Sequence, residues 1–209
     1  ISRMPNRENF AERDWAAVSG TSSTQAVEMS RQLFTLAIPE TSSGARAWMD
    51  RVRAEYDRDF ANRVAPHFTL VFGDDSVPEA DYLQQVQTIA RATAPFPFAC
   101  RRAVIGTDHQ DDTGYAFLAP DTGNSEILKL RRDLHTGPFS GLLRPDIPYV
   151  PHITVGRFAS VETARQICDS LNASSIDVSG RITSLTIVAK DTHGSIQEIQ
   201  VIPLSGGRT

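Results

Sequence analysis

The sequence is poor in cysteine and lysine, and it has no long apolar run. Its two cysteines, Cys100 and Cys168, stand far apart with no neighbouring Cys or His at ligand spacing. That excludes a disulfide framework and a cysteine-based zinc site, and it suits two buried thiols in a reducing compartment. The longest apolar pieces, such as Phe68 to Phe72 and Leu185 to Ala189, are strand-sized. A membrane-spanning helix needs roughly 18–20 apolar residues, so none is expected. The first thirty residues lack the apolar stretch of a secretory signal, and the expected location is the cytoplasm. A Gly-rich phosphate loop, a Gly-x-Ser-x-Gly nucleophile turn and a Cys-x-x-Cys pair are also missing, which removes three common routes to catalysis.

An excess of positive charge is missing too. Lys129 and Lys190 are the only lysines among twenty-one basic residues, and twenty-five acids bring the formal net charge to −4. Such a chain is not the polycation that binds duplex nucleic acid non-specifically, so a small or locally held ligand is expected. The arginine bias is compatible with two-point recognition of anions, and equally with codon preference.

What is present reads as one domain of alternating strands and helices. Residues 1–30 are polar, with Phe10, Trp15 and Val18 spaced for one short helix, and read as an N-terminal extension. Residues 31–209 read as a single bilobal domain, with lobes of about 31–110 and 111–209 between which strands can be exchanged. Leu33 to Ile38 reads as a strand ended by Pro39. Thr41 to Ser43 then cap a helix whose Trp48, Val52, Tyr56 and Phe60 recur every fourth residue. Arg46, Arg51, Arg53, Arg58 and Arg63 interleave with acids and read as its wet face. A strand at His67 to Phe72, a helix at Glu79 to Ala92 and a strand at Phe98 to Ile105 follow. Beyond the acidic loop Thr107 to Gly114 the same order returns. It runs through a strand at Tyr115 to Leu118, a helix at Ser125 to His135 and a strand at His152 to Phe158. Next come a helical stripe from Val161 to Leu171, a strand at Arg181 to Ala189 and a closing strand at Ile196 to Ile202.

Inside this large repeat lies a small one. Pro66-His67-Phe68-Thr69-Leu70 matches Pro151-His152-Ile153-Thr154-Val155. In an extended strand alternate side chains share a face, so each segment offers an imidazole and a hydroxyl on one side and apolar residues on the other. A His-x-Ser/Thr triplet alone is weak evidence, since five histidines yield about one by chance. The shared proline, the shared threonine, the apolar alternates and the equivalent places in the repeat are what distinguish this pair. If an approximate two-fold axis relates the halves, both polar faces meet across a shared cleft.

These two segments resemble the paired His-x-Thr-x motifs of the 2H phosphoesterase superfamily, in particular its bacterial 2′-5′ RNA ligase-like and cyclic phosphodiesterase branches. The resemblance covers about residues 31 to 204. It implies an α+β, duplicated bilobal fold with two antiparallel-rich sheets facing a central cleft and helices outside. It implies a metal-independent, cofactor-free phosphodiesterase acting on 2′,3′-cyclic phosphates of nucleotides, RNA ends or a cyclic sugar phosphate. Its catalytic residues would be His67, Thr69, His152 and Thr154, with His67 as acid and His152 as base by analogy, although the symmetric motif serves either way round. Two imidazoles near pKa 6.5 can share acid and base roles, and two threonine hydroxyls can donate to non-bridging phosphate oxygens.

Secondary candidates surround this set. Arg157 is a candidate phosphate ligand, but strict alternation places it opposite His152 unless Gly156 permits a bulge. Tyr149, Tyr115 and Phe72 are candidates to stack on a base, against the commoner role of strand aromatics in a core. Asp108, His109, Asp111 and Asp112 resemble a metal cluster but read as a solvated turn. His135 reads as a cation in the last turn of its helix, and His193 as a turn residue. A 2′-5′ RNA ligase or oligonucleotide-trimming activity, and a non-catalytic RNA or nucleotide binder, remain as alternatives. No membrane or obligate protein partner enters this reading, and the expected state is a monomer.

Overall fold

The computed structural model describes residues 31–107, 112–143 and 149–207. The expectations for residues 1–30 and for Asp108, His109 and Asp111 lie outside that set. Strand β1 (Gln32–Ala37) leads to the short β2 (Glu40–Thr41), and the hydroxyl of Ser42 then accepts from the Ala45 amide at 3.1 Å to start helix α1 (Ser43–Tyr56). The expected stripe does not run on to Phe60. Asp57, at φ −143° and ψ 47°, ends α1, and Phe60 belongs to the separate turn of helix α2 (Arg58–Ala61). The buried face of α1 is Ala45, Met49, Val52 and, against expectation, Arg53. Arg53 donates to the carbonyls of Val64 at 2.9 Å and Phe60 at 3.0 Å, which ties down the loop leading into the first histidine.

The remaining elements are β3 (Phe68–Asp74), α3 (Glu79–Ala92), β4 (Phe96–Cys100), β5 (Ala103–Thr107), β6 (Gly114–Leu118), α4 (Asn124–Leu134), a 3₁₀ turn (Gly137–Leu142), β7 (Ile153–Phe158), α5 (Val161–Asn172), β8 (Val178–Ile182), β9 (Ser184–Lys190) and β10 (Ile196–Pro203). The runs expected as single strands at Phe98 to Ile105 and Arg181 to Ala189 are each broken in two. The breaks are made by Arg101-Arg102 and by Thr183, and they move the chain from one sheet to another. A one- or two-residue corner inside an apolar run leaves the period-2 pattern on both sides intact, so the pattern alone does not reveal it.

All pairings are antiparallel. A seven-stranded sheet has the order β10-β9-β1-β3-β7-β6-β5, and a three-stranded sheet has the order β2-β8-β4. The larger sheet is two sets of strands joined at one residue pair, Phe68 with Ile153, whereas every other neighbouring pair in it shares at least four. The strands of both halves thus share a sheet, and the two sets part on either side of a single contact. Helices cross between them: α1 of the first half packs on β7, and α4 of the second half packs on β3. Phe68, Leu70, Ile153 and Val155 are fully buried in one core, where Phe68 meets Phe98 edge to face at 5.5 Å. Among the described residues no helix is long and apolar enough to cross a membrane.

Candidate active site

The lone Phe68–Ile153 pair sets the geometry of the two histidine motifs. Antiparallel register around it puts His67 opposite Thr154 and Thr69 opposite His152. Phe68 and Ile153 have no exposure, so alternation turns all four polar side chains to the other face, where each is half-buried. The four residues expected to converge therefore flank the one shared pair, on the face away from the core.

Both imidazoles are anchored in the same way. His67 Nδ1–H donates to the Ala65 carbonyl at 2.7 Å, and His152 Nδ1–H donates to the Val150 carbonyl at 2.7 Å. A carbonyl only accepts, so each ring carries its proton on Nδ1 and presents the lone pair of Nε2. Burial pulls both imidazolium forms down, to about 4 for each. For His67 the positive charge of Arg53, and that of His152 once it is protonated, adds to this. His152 has an extra constraint, because the Phe117 ring stacks on it with centroids 3.7 Å apart and planes 17° apart. Phe117 reaches that position because it pairs with Thr154 across β6 and β7. The sequence reading did not single out Phe117; its alternation with Tyr115 on β6 was the available signal.

Each motif strand carries one extra residue straight after its threonine. Thr69 and Val71 pair with consecutive residues of β1, and Thr154 and Gly156 with consecutive residues of β6, so Leu70 and Val155 are bulged at the same motif position. This bulge answers the question of Arg157. It carries Phe72 and Arg157, each five residues beyond its histidine, onto the face of the His/Thr pairs. Arg157 Nη2 donates to the Tyr115 hydroxyl at 3.1 Å and its guanidinium lies 5.7 Å from the Phe60 ring centroid.

Tyr115 does not offer a free face to a base: it is 2% exposed, stacked on Phe117 at 5.6 Å and bonded to Arg157. Its observed contacts position Arg157 and Phe117. Tyr149 donates its hydroxyl to the Thr69 carbonyl at 2.8 Å, and the Arg131 guanidinium lies 4.0 Å over its ring. His135 is not the expected helix-end cation. It is buried, its Nδ1–H donates to the Arg131 carbonyl at 2.8 Å, and burial lowers its pKa. Arg131 and the Arg53–Asp57 pair were missed because a helical arginine reads as surface until tertiary packing covers it.

An array of two neutral imidazoles, two hydroxyls and an arginine on one half-buried face is suited to acid–base chemistry on an anion. The comparisons with known proteins identify the family. Over 107 residues the chain is 28% identical to a Geobacillus kaustophilus protein provisionally named a phosphoesterase, a match covering 50% of this chain and 58% of that relative. Its fold resembles the crystal structure of TT0787 from Thermus thermophilus, with a TM-score of 0.56 at 19% identity, over 85% of this chain and 100% of that one. It also resembles Escherichia coli LigT complexed with 3′-AMP, with a TM-score of 0.53 at 18% identity, over 84% of this chain and 98% of LigT. The sequence model of the 2′-5′ RNA ligase superfamily matches residues 39–194, a span that contains both histidine strands and both bulges, and the chain belongs to that superfamily of 2H phosphoesterases.

Proposed function

We propose that the protein hydrolyses 2′,3′-cyclic phosphates of nucleotides or RNA ends in the cytoplasm, with His67, Thr69, His152 and Thr154 as its catalytic residues. The observation that carries this reading is the cross-strand pairing of the two motifs, with both Nε2 atoms left free by identical Nδ1 anchors. One imidazole takes the proton of the attacking water and the other protonates the departing ribose oxygen. The threonine hydroxyls donate to the non-bridging oxygens as charge shifts onto them. By family resemblance His67 is the acid and His152 the base. Arg53 opposes protonation of His67, so on this assignment the substrate's own negative charge supplies the field that loads the acid. Arg157, swung to the same face, faces the phosphate charge. Both proton roles are filled by imidazole, and the reading needs no metal or cofactor.

The test is turnover of a 2′,3′-cyclic nucleotide in EDTA. Undiminished activity of a His67→Ala, His152→Ala double variant would reject the assignment, and loss of wild-type activity on chelation would reject the metal-free mechanism. The superfamily match also favours a second reading, in which a ribose hydroxyl replaces water and the site joins or trims oligonucleotides. Formation of a 2′-5′ linkage from a cyclic phosphate and a free 5′-hydroxyl identifies that case. Tight nucleotide binding without either reaction identifies a non-catalytic binder.

A further inference from the structure

Helices α1 and α4 hold equivalent places in the two repeats, and each carries an arginine four residues before its C-cap. The Asp57 amide bonds the Arg53 carbonyl, and the His135 amide bonds the Arg131 carbonyl. Both side chains are buried, at 2% and 7% exposure. Their counter-charges differ. Arg53 Nε lies 3.5 Å from Asp57 Oδ2, whereas α4 has His135 at the position of that aspartate. Among the described residues no carboxylate pairs with Arg131. Its Nη1 donates to the Leu70 carbonyl at 2.8 Å, one face rests on Tyr149, and the Phe72 ring lies 5.7 Å away. Nε and Nη2 donate to nothing among the described residues, and neither is sealed from solvent.

A buried cation without a counter-ion is costly, and the planar fork of arginine fits phosphate oxygens two at a time. The position of this cation is specific. Leu70 is the bulged residue next to Thr69, Tyr149 holds the Thr69 carbonyl, and Phe72 shares the face of Thr69. Phe72 is also the repeat equivalent of Arg157, so each motif has a guanidinium beyond its threonine, one on the strand and one reaching over from α4.

We propose that Arg131, floored by Tyr149 and flanked by Phe72, is a second phosphate subsite, and that the substrate is a nucleotide carrying another phosphate besides the cyclic one. This rests on the proposed hydrolysis of cyclic phosphates. The further phosphate is either a terminal 5′-phosphate or the phosphodiester of a preceding nucleotide.

The experiment pairs binding with turnover. Kd is measured for adenosine 3′-monophosphate and adenosine 3′,5′-bisphosphate. Then kcat/KM is measured for adenosine 2′,3′-cyclic phosphate, its 5′-phosphorylated form, and a dinucleotide ending in the cyclic phosphate. The wild type is expected to favour the bisphosphate by about tenfold or more, the size of one charge-assisted hydrogen bond. Whichever of the two larger cyclic substrates gains most identifies the source of the phosphate. Arg131→Met is expected to bring the binding preference to near one, and Arg131→Lys to retain part of it. A wild type without preference overturns the subsite, and so does an Arg131→Met protein weakened equally toward both ligands, since that marks a purely structural arginine. If Arg131→Met does not fold, the wild type and Arg131→Lys still decide. A wild type that prefers the bisphosphate yet opens no cyclic phosphate rejects the proposed hydrolysis and leaves the subsite standing.

Discussion

His67 and His152 are held alike by their Nδ1 anchors but unlike by their surroundings. Arg53 pushes on the first and Phe117 lies against the second. If both work as acid and base, His67→Ala and His152→Ala are each expected to lower kcat by roughly 10²–10⁴. Thr69→Val and Thr154→Val should cost about 10²–10³, as loss of a preorganised donor does. Single-turnover rates on a cyclic nucleotide, with circular dichroism as the fold control, check both. Phe117 excludes water from one face of His152. Phe117→Leu should therefore let the His152 pKa rise from about 4 toward its ordinary 6.5, followed by histidine NMR titration. An unmoved titration would show that the ring only fills space. The imidazole–hydroxyl pairs were legible at this scale, because period-2 alternation acts on neighbouring residues. Arg131 and Arg53 were not, because whether a helical arginine is buried depends on which strands pack over it.

At the scale of elements, the bulges at Leu70 and Val155 do what no single residue can. They shift everything beyond the threonines by one position and so select which side chains face the site. The sequence left Arg157 on the wrong face unless Gly156 relaxed the strand, and the register shift on β7 supplies that relaxation. Strand β5 takes part from behind. A Cβ at Gly106 would lie 2.0 Å from the Phe117 ring, so Gly106→Ala must move that ring. The expected result is a His152 titration displaced in the same direction as in Phe117→Leu, with a stability loss of about 1–3 kcal/mol from overpacking. Urea unfolding and NMR titration measure the two effects. A stable Gly106→Ala protein with an unchanged His152 would break the link between β5 and the site. The corners at Arg101-Arg102 and Thr183 were illegible for the converse reason: both sides of each corner are apolar, and only pairing partners reveal that they serve different sheets.

For the whole molecule the relevant quantity is how the fold treats protons. His67, His152 and His135 all have pKa values below 6.5 in the fold, with burial as the leading cause. Between about 6.5 and 4 the unfolded chain binds protons that the folded one refuses, so stability is full above that window and falls as pH drops through it. Calorimetry from pH 7 to 5 should show a declining Tm. Inorganic phosphate should reduce the decline, because an anion at the site favours the imidazolium forms. A Tm independent of pH in this range would contradict the burial of these rings.

The amino-acid sequence by itself determined the repeat, the strand alternation and the four side chains that share a face. These follow from local rules: backbone geometry alternates side chains whatever lies nearby, and caps and apolar stripes act within one helical turn. Only the tertiary structure decided that Phe68 and Ile153 are the single join between the two sets of strands. It also decided that α1 and α4 cross to the opposite half, and that one buried arginine has a carboxylate partner while its counterpart has none among the described residues. Those outcomes depend on distant segments competing for the same sheet edges and the same low-dielectric space, and that competition has no local trace in the chain.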